Sequence, residues 1–564
     1  MEVSFVNISI KQFSSLDKIR SFSENETEIK KKLCLKGEVF SFQQAISCDI
    51  PAEIKVTVKS ELKEYIKLYE VKNTVMDLPC YRNCTDNDYI TKEAGVMPDI
   101  LIPLEEQNGY VKLFDSFSTI WIELCLPTDI CAKNYEIMLC YDGKSISVSE
   151  DPVMIEERKS LTIEVLDAML PKQQTIVTQW FHTDCIASVH NVEIFSERHW
   201  KLIEEYMLEA TRQGINMILV PVITPPLDTK PGISRPNVQL VKINKDGDIY
   251  TFDFTQLKHF IDIAKKCGMK YFEIAHLFSQ WGAKYSPNIY VTENGKLKLL
   301  FGWHINANDP SYKTFLEKFL PELVNFLKIE GIFNNCYFHI SDEPEIKHLD
   351  SYRYACDLVK PFLKDAKIMD AISNIDLYNL GLVSIPVTST DHIEPFLDKK
   401  IKNQWVYYCC CQGKKVANRF IAMPSYRNRI LGIQLYKYSI TGFLQWGFNF
   451  YYSNLSSFEI NPYITTSEYG AVPSGDAFSV YPGKNGPIPS LRAKVFKEAI
   501  QDISVFELLE KFIGKNNVIK FIEEKADMEI TFSKYPRSGN FLINLDNEIK
   551  EEIRKHIDGA EKVV

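Results

Sequence analysis

Several things are missing from this chain. Its first fifteen residues, MEVSFVNISIKQFSS, hold neither a basic stretch nor a continuous apolar one, so no secretory signal is legible and a cytoplasmic protein is expected. No apolar run reaches the length that crosses a bilayer, which argues against membrane insertion. Basic residues are scattered and the net charge is −9, so the footprint of a nucleic-acid binder is absent. A disulfide framework is lacking too. The 14 cysteines are irregularly spaced, and Cys409, Cys410 and Cys411 sit together in a strand-like run, which reads as reduced, mostly buried thiols. Cys80 and Cys84 form a lone CxxxC with no nearby His or second Cys pair, which does not make a zinc site.

What is present points to a large globular chain. At 564 residues it exceeds one ordinary core, so two or three domains are expected, one of them long enough for a barrel. The aromatic share, 12%, is read mostly as core, although sugar-binding clefts use the same surfaces. Residues 1–165 carry short β-rich runs between turn signals, such as GEVFSFQQAIS and TIWIELCLP, and predict a β-sandwich that supports the rest. Within it, the charge run Glu28 to Lys32 reads as a solvated face. From Thr175 the rhythm becomes strand, loop, helix, with SERHWKLIEEYMLEATRQG a clear amphipathic helix capped by Ser196 and stopped by Gly214. Eight strand-like runs with mostly helical connections predict a (β/α)8, TIM-like barrel over residues 166–515. The fold class is thus multidomain, all-β followed by α/β. Residues 516–564 read as a short α/β extension: a helix, a strand-like ITF and the helix NEIKEEIRKHI.

The stretch CYFHISDEPE, Cys336 to Glu345, organises the chemistry. An apolar run that reads as a buried strand ends in two adjacent acids, Asp342 and Glu343, and Pro344 stops the strand. An isolated Asp-Glu-Pro is by default a solvated turn, but barrels of this kind gather functional side chains where their strands end. The other strand ends bring His182 and Asp184, Thr224 and Asp228, His276 and Trp281, Cys411 and Gln412, then Trp446, Asn449, Tyr451 and Tyr452. Acids, polar groups and indoles around one rim suit a sugar-cleaving pocket, because sugar C–H faces stack on indoles while hydroxyls take hydrogen bonds.

A retaining glycosidase with its own nucleophile needs two carboxylates on opposing sides of the anomeric carbon, which sequence neighbours seldom supply. The segment Gln404 to Phe420 contains no acid to complete such a pair. Substrate assistance resolves this. The 2-acetamido oxygen of the sugar attacks its own C1, Glu343 protonates the leaving oxygen and later activates water, and Asp342 accepts the acetamido N–H. Ionised Asp342 would favour the protonated form of Glu343. No metal or cofactor is needed.

Together the sandwich-then-barrel order, HISDEP, FHTDC, TPPLDT, LQWGFNFYY, and GDAFSVYPG before SLRAKVFKEAIQD resemble glycoside hydrolase family 123. The resemblance spans about residues 30 to 515 and implies a retaining β-N-acetylgalactosaminidase. The implied substrate is a glycan with terminal β-linked N-acetylgalactosamine, such as a glycosphingolipid oligosaccharide, and the implied catalytic pair is Asp342 and Glu343. For the aromatic that holds the acetamido group, Tyr407, Trp446 and Tyr481 are the candidates.

Trp446 is read as a sugar platform, and Trp281 and Trp303 as flanking the long third loop. His182, Asp184, His276 and Asn449 are expected to bind sugar hydroxyls or neighbouring loops. Asp476 is read as reaching the rim or capping a turn. Two alternatives stay open: a metal-dependent hydrolase using His182 and Asp184, whose side chains would share a face if the strand ran through them, and a barrel that binds glycans without cutting them.

Overall fold

The computed structural model describes residues 8–27, 29–114, 117–146 and 153–561. The first seven residues, on which part of the N-terminal reading rests, and Glu28 lie outside that set. Alternating and continuous apolar runs build two five-stranded sheets. One orders Ile8–Ser14, Val39–Cys48, Phe117–Cys125, Ile66–Met76 and Gly95–Pro103; the other orders Lys31–Lys36, Met154–Met169, Asn134–Ser145, Ala52–Lys59 and Tyr110–Leu113. Phe42, Ile54, Ile122, Leu139 and Ile163 draw on both sheets for one buried apolar cluster. The strand Phe117–Cys125 is apolar on both faces for a reason: Ile120, Ile122 and Leu124 point into that cluster, while Trp121 between them joins the larger core shared with the barrel. Buried polar contacts fix the same junction. Asp99 takes Arg492 at 2.9 Å, and Lys494 reaches Glu123 at 2.9 Å.

The eight strand-like runs close into a parallel barrel in chain order: Ile176–Gln179, Met217–Val220, Tyr271–Ile274, Cys336–Phe338, Lys367–Ala371, Ile385–Ser389, Trp405–Tyr407 and Gly442–Gln445. The eighth strand pairs with the first, Gln445 opposite Gln179. Ile176, Leu219, Tyr337, Met369, Val387, Trp405 and Leu444 contribute to the cluster that fills the interior. Gly442 is required there, because a Cβ would stand 2.1 Å from the Trp405 ring. Helices follow the strands, long ones after the first four (Glu197–Arg212, Thr255–Lys266, Pro310–Ile329, Leu349–Val359) and five-residue ones after the fifth and sixth (Ile375–Asn379, Glu394–Asp398). The helix Leu491–Ile513 completes the circuit and carries Arg492 and Lys494.

Two local expectations change. The tail forms two helices, Lys515–Ala526 and Gly539–Glu561, and the ITF segment makes no strand; Ile530 and Phe532 are instead buried in the main core. The charge run is only partly a solvated face. Lys31 is exposed, but Lys32 is buried and pairs with Asp546 of the last helix.

Candidate active site

The fourth barrel strand ends at Phe338, and the chain runs on through buried His339, Ile340 and Ser341 to Asp342. Extended neighbours would point to opposite sides. Glu343 breaks that alternation by adopting φ +41°, and both acids line one cavity of about 270 Å³. The turn is pinned from the third-strand loop: Trp281 N donates to Asp342 O at 2.8 Å, and Ser341 Oγ donates to Ser279 O at 2.8 Å. Across the mouth, Tyr407 at the end of the seventh strand donates its hydroxyl to Glu343 Oε1 at 2.6 Å.

Below the pair lies a buried polar network. His339 Nε2 donates to Glu273 Oε1 at 2.6 Å and Nδ1 to Asp370 Oδ1 at 3.2 Å. Burial pulls the imidazole pKa down, but these two carboxylates outweigh it and leave it at about 9, so His339 is a buried cation. Thr178 and Trp180 also donate to Glu273, and Tyr352 donates to Asp370 at 2.5 Å. This cation matters to the acids above it. Burial and the adjacent charge of Glu343 hold Asp342 well above the carboxylate range, while His339 draws it back. Glu343 is raised as well, mainly by burial, and the Tyr407 hydroxyl restrains that rise. Both carboxyls are thus held above their ordinary range, which favours a proton shared by the pair.

The cavity is walled by aromatics from three strand ends: Trp180 of the first, Tyr407 of the seventh and Trp446 of the eighth. Asp476 accepts Trp446 Nε1 at 2.8 Å and so fixes the indole plane. Two further acids, Asp228 and Glu468, also line it. Backbone strain gathers here. Asp228 (φ +44°), Trp281 (+57°), Glu343 (+41°), Leu455 (+54°) and Glu468 (+55°) are all left-handed non-glycine residues on the cavity wall, at a cost of roughly 1–3 kcal/mol each, as functional sites tend to carry. A second, open cavity of about 940 Å³ adjoins the first and shares Trp281, Glu343, Tyr407, Cys409 and Cys410 with it.

A family model for the catalytic domain of glycoside hydrolase 123 matches residues 180–509, more than half of the sequence and every strand end just described. The chain belongs to glycoside hydrolase family 123. A solved family 123 glycoside hydrolase from Clostridium perfringens, from a study of glycolipid glycan hydrolysis, aligns with a TM-score of 0.73 at 16% identity, covering 99% of this chain and 100% of that one. At that identity the likeness shows a shared fold, including the N-terminal sheets. AggA, the major subunit of aggregative adherence fimbriae type I from Escherichia coli, aligns with a TM-score of only 0.16 at 7% identity, covering 29% of this chain and 96% of its own, which carries no argument. No curated protein matches the sequence.

Among the residues singled out from sequence, this family 123 chain brings Asp228, Asp342, Glu343, Trp281, Tyr407 and Trp446 to the cavity, and Cys411 and Gln412 to the adjoining groove. The others have structural posts. The first strand stops at Gln179, and a helix, Thr183–Val189, begins right after His182, so His182 and Asp184 do not share a strand face. Arg235 grips both: its guanidinium meets the two Asp184 oxygens at 2.6 Å each and His182 Nδ1 at 3.1 Å, while His182 Nε2 lies 3.0 Å from Trp446 O. Every donor that the metal-dependent alternative needed is thereby engaged, and the described residues contain no cluster of three or more side chains suited to a metal.

Asn449 exchanges hydrogen bonds with the His182 backbone, and Tyr481 donates to Asp99 at 2.6 Å in the junction with the N-terminal sheets. His276 is buried and stacks on His339 at 4.1 Å; burial and that neighbouring cation keep it neutral. Trp303 packs against Tyr285 and lines neither cavity. Sequence reading passed over Trp180, Glu468 and Tyr81. Trp180 could have been found from strand alternation, since Thr178 and Trp180 both reach Glu273 inside the barrel. Tyr81 comes from the N-terminal region, so that region walls the site as well as supporting the barrel.

Proposed function

We propose that this family 123 member is a retaining β-N-acetylgalactosaminidase built on a (β/α)8 scaffold, acting on glycans with terminal β-linked N-acetylgalactosamine such as glycosphingolipid oligosaccharides. The observation that carries the reading is the place of Glu343, at the junction of a small aromatic-walled cavity and a larger open groove. A glycosidic oxygen has to lie at such a junction, with the sugar to be released inside and the rest of the glycan outside. The galacto configuration is taken from the family resemblance; the acetamido requirement follows from the acids.

An acetamido N–H can only donate, so its arrival at Asp342 favours the ionised carboxylate and moves the pair's proton to Glu343. The acetamido oxygen then bonds to C1, the C1–O bond breaks, and the Glu343 proton goes to the departing oxygen. Asp342 stabilises the positive charge of the resulting oxazolinium ion. Water adds to C1 as Glu343 takes its proton back, which reopens the acetamido group and restores the β configuration. Chromogenic 2-acetamido-2-deoxy-β-glycosides, assayed with and without chelator, test this. Cleavage of the galactoside that survives chelator and first yields the β-anomer is expected; release of the α-anomer, or binding without cleavage, would contradict it.

A further inference from the structure

The seventh strand hands over to a run of three cysteines that the reaction scheme does not use. The chain turns there: Gln412 N donates to Cys409 O at 3.1 Å, which makes Cys410 and Cys411 the two central residues of a β-turn. Their sulfurs lie 3.8 Å apart. Cys410 is half-buried and Cys411 exposed, and all 14 cysteines of the chain are free thiols.

Both ends of the turn are pinned. Gln412 Oε1 accepts Cys409 N at 2.8 Å, and Gln412 Nε2 donates to Asp391 Oδ1 at 3.0 Å. Asn418 Nδ2 donates to Cys409 O at 2.9 Å and to Gln412 O at 3.0 Å. The nearby thiols are turned to oxygens: Cys409 Sγ donates to Gln412 Oε1 at 3.3 Å, and Cys84 Sγ to Cys411 O at 2.8 Å. Adjacent cysteines are hard to bridge along an extended chain, since their α-carbons are about 3.8 Å apart, short of the usual disulfide span. Here the turn has already brought the sulfurs together. Hydrogen bonds from Cys409 and Cys410 also pull the Cys411 pKa well below the ordinary thiol value, against its partial burial. An exposed thiolate is the form that peroxides oxidise.

We propose that Cys410 and Cys411 are an oxidation site at the lip of the cavity, closed to a disulfide by hydroperoxides and reopened by thiols, and that closure slows turnover. The Cys411 thiolate attacks the O–O bond of the hydroperoxide and becomes a sulfenic acid, while the departing oxygen takes up the proton that Cys411 had lost. The Cys410 sulfur then attacks the sulfenic sulfur; the S–S bond forms, the S–O bond breaks, and the hydroxyl leaves as water with the Cys410 proton. Cys410 lines both cavity and groove, and Cys411 lines the groove with Glu343. Drawing the sulfurs from 3.8 Å to about 2.0 Å moves that wall. The effect on turnover rests on the glycosidase reading above; the oxidation does not.

The test treats full-length protein with hydrogen peroxide, blocks the remaining thiols by alkylation under denaturing conditions, and weighs the tryptic peptide 403–414. In wild type and in Cys409→Ser it should carry a disulfide in place of two alkylated cysteines, reversed by dithiothreitol; in Cys410→Ser and Cys411→Ser that disulfide should be missing. Oxidised wild type should lose about 10-fold in kcat/KM on an aryl 2-acetamido-2-deoxy-β-galactoside and regain it with dithiothreitol, while Cys411→Ser resists the same treatment. No disulfide in wild type, a link to Cys84 instead, or a disulfide that leaves the rate unchanged overturns the proposal. If the reduced protein cleaves no galactoside, the peptide result still decides the oxidation site and the glycosidase reading is what fails.

Discussion

The two acidic walls of the cavity are built on opposite plans. On the fourth-strand side, Glu343 has a hydroxyl donor in Tyr407, and Asp342 stands above the cation of His339, itself braced by Glu273 and Asp370. On the eighth-strand side, Asp228 and Glu468 present buried oxygens that nothing in the protein satisfies. A group that changes protonation during a reaction needs partners that set its proton affinity. The contrast is between a braced pair, to which the proposed chemistry is given, and an unbraced one whose carboxyls burial pushes upward, Asp228 to about 6 and Glu468 further still with the charge of Asp228 beside it.

The sharpest way to break that assignment is to remove the acid from each wall in turn. Glu343→Gln is expected to lower kcat by about 10³-fold, within the usual range for a general acid. Glu468→Gln should lose far less in kcat and show its effect in KM; a matching collapse of kcat at unchanged KM would make Glu468 the nucleophile. Asp342→Asn comes next. A loss of about 10²-fold in kcat with KM nearly unchanged is expected, since it withdraws charge stabilisation from the oxazolinium ion.

Smaller effects refine the picture of the partnered wall. Tyr407→Phe should cost roughly 10-fold in kcat/KM. It should also move the basic limb of the pH profile upward, because the lost hydroxyl had held the Glu343 pKa down. The least effect on chemistry and the clearest on stability belongs to His339→Gln. The folded-state pKa of His339, about 9, lies above the ordinary histidine value of 6.5, so its contribution is complete below about pH 6.5 and fades as pH rises through 9. Melting temperatures of wild type and variant should accordingly differ most in mild acid and converge in mild base; a difference that grows with pH would mean His339 is neutral.

The partnered wall is also the one the sequence shows. An apolar strand that ends in two acids and a proline announces itself, and so do the eight buried runs, because strands covered on both faces are apolar throughout. The other wall shows only in part: Asp228 stands out beyond the second strand, but Glu468 leaves no such mark. Glu468 sits in a loop without periodicity, and its burial depends on Asp77, whose partner Ser467 lies 390 residues away in sequence. Polar residues at strand ends mislead in the reverse sense: His182 and Asp184 look like site residues until Arg235, from a loop more than 50 residues later, occupies both. Tyr481 and Asn449 fail for the same reason, since their partners are backbone and side-chain groups that only the closed barrel and its junction bring near.

The measurement that bears most directly on the central claim is kcat/KM across aryl β-galactosides whose C2 nitrogen is acetylated, progressively fluoroacetylated, or free. If the acetamido oxygen is the nucleophile, the rate falls steeply with each fluorine, and the free amine is not cleaved at a measurable rate. A flat series, or an amine hydrolysed as fast as its N-acetyl parent, would place the nucleophile on the protein and contradict the account.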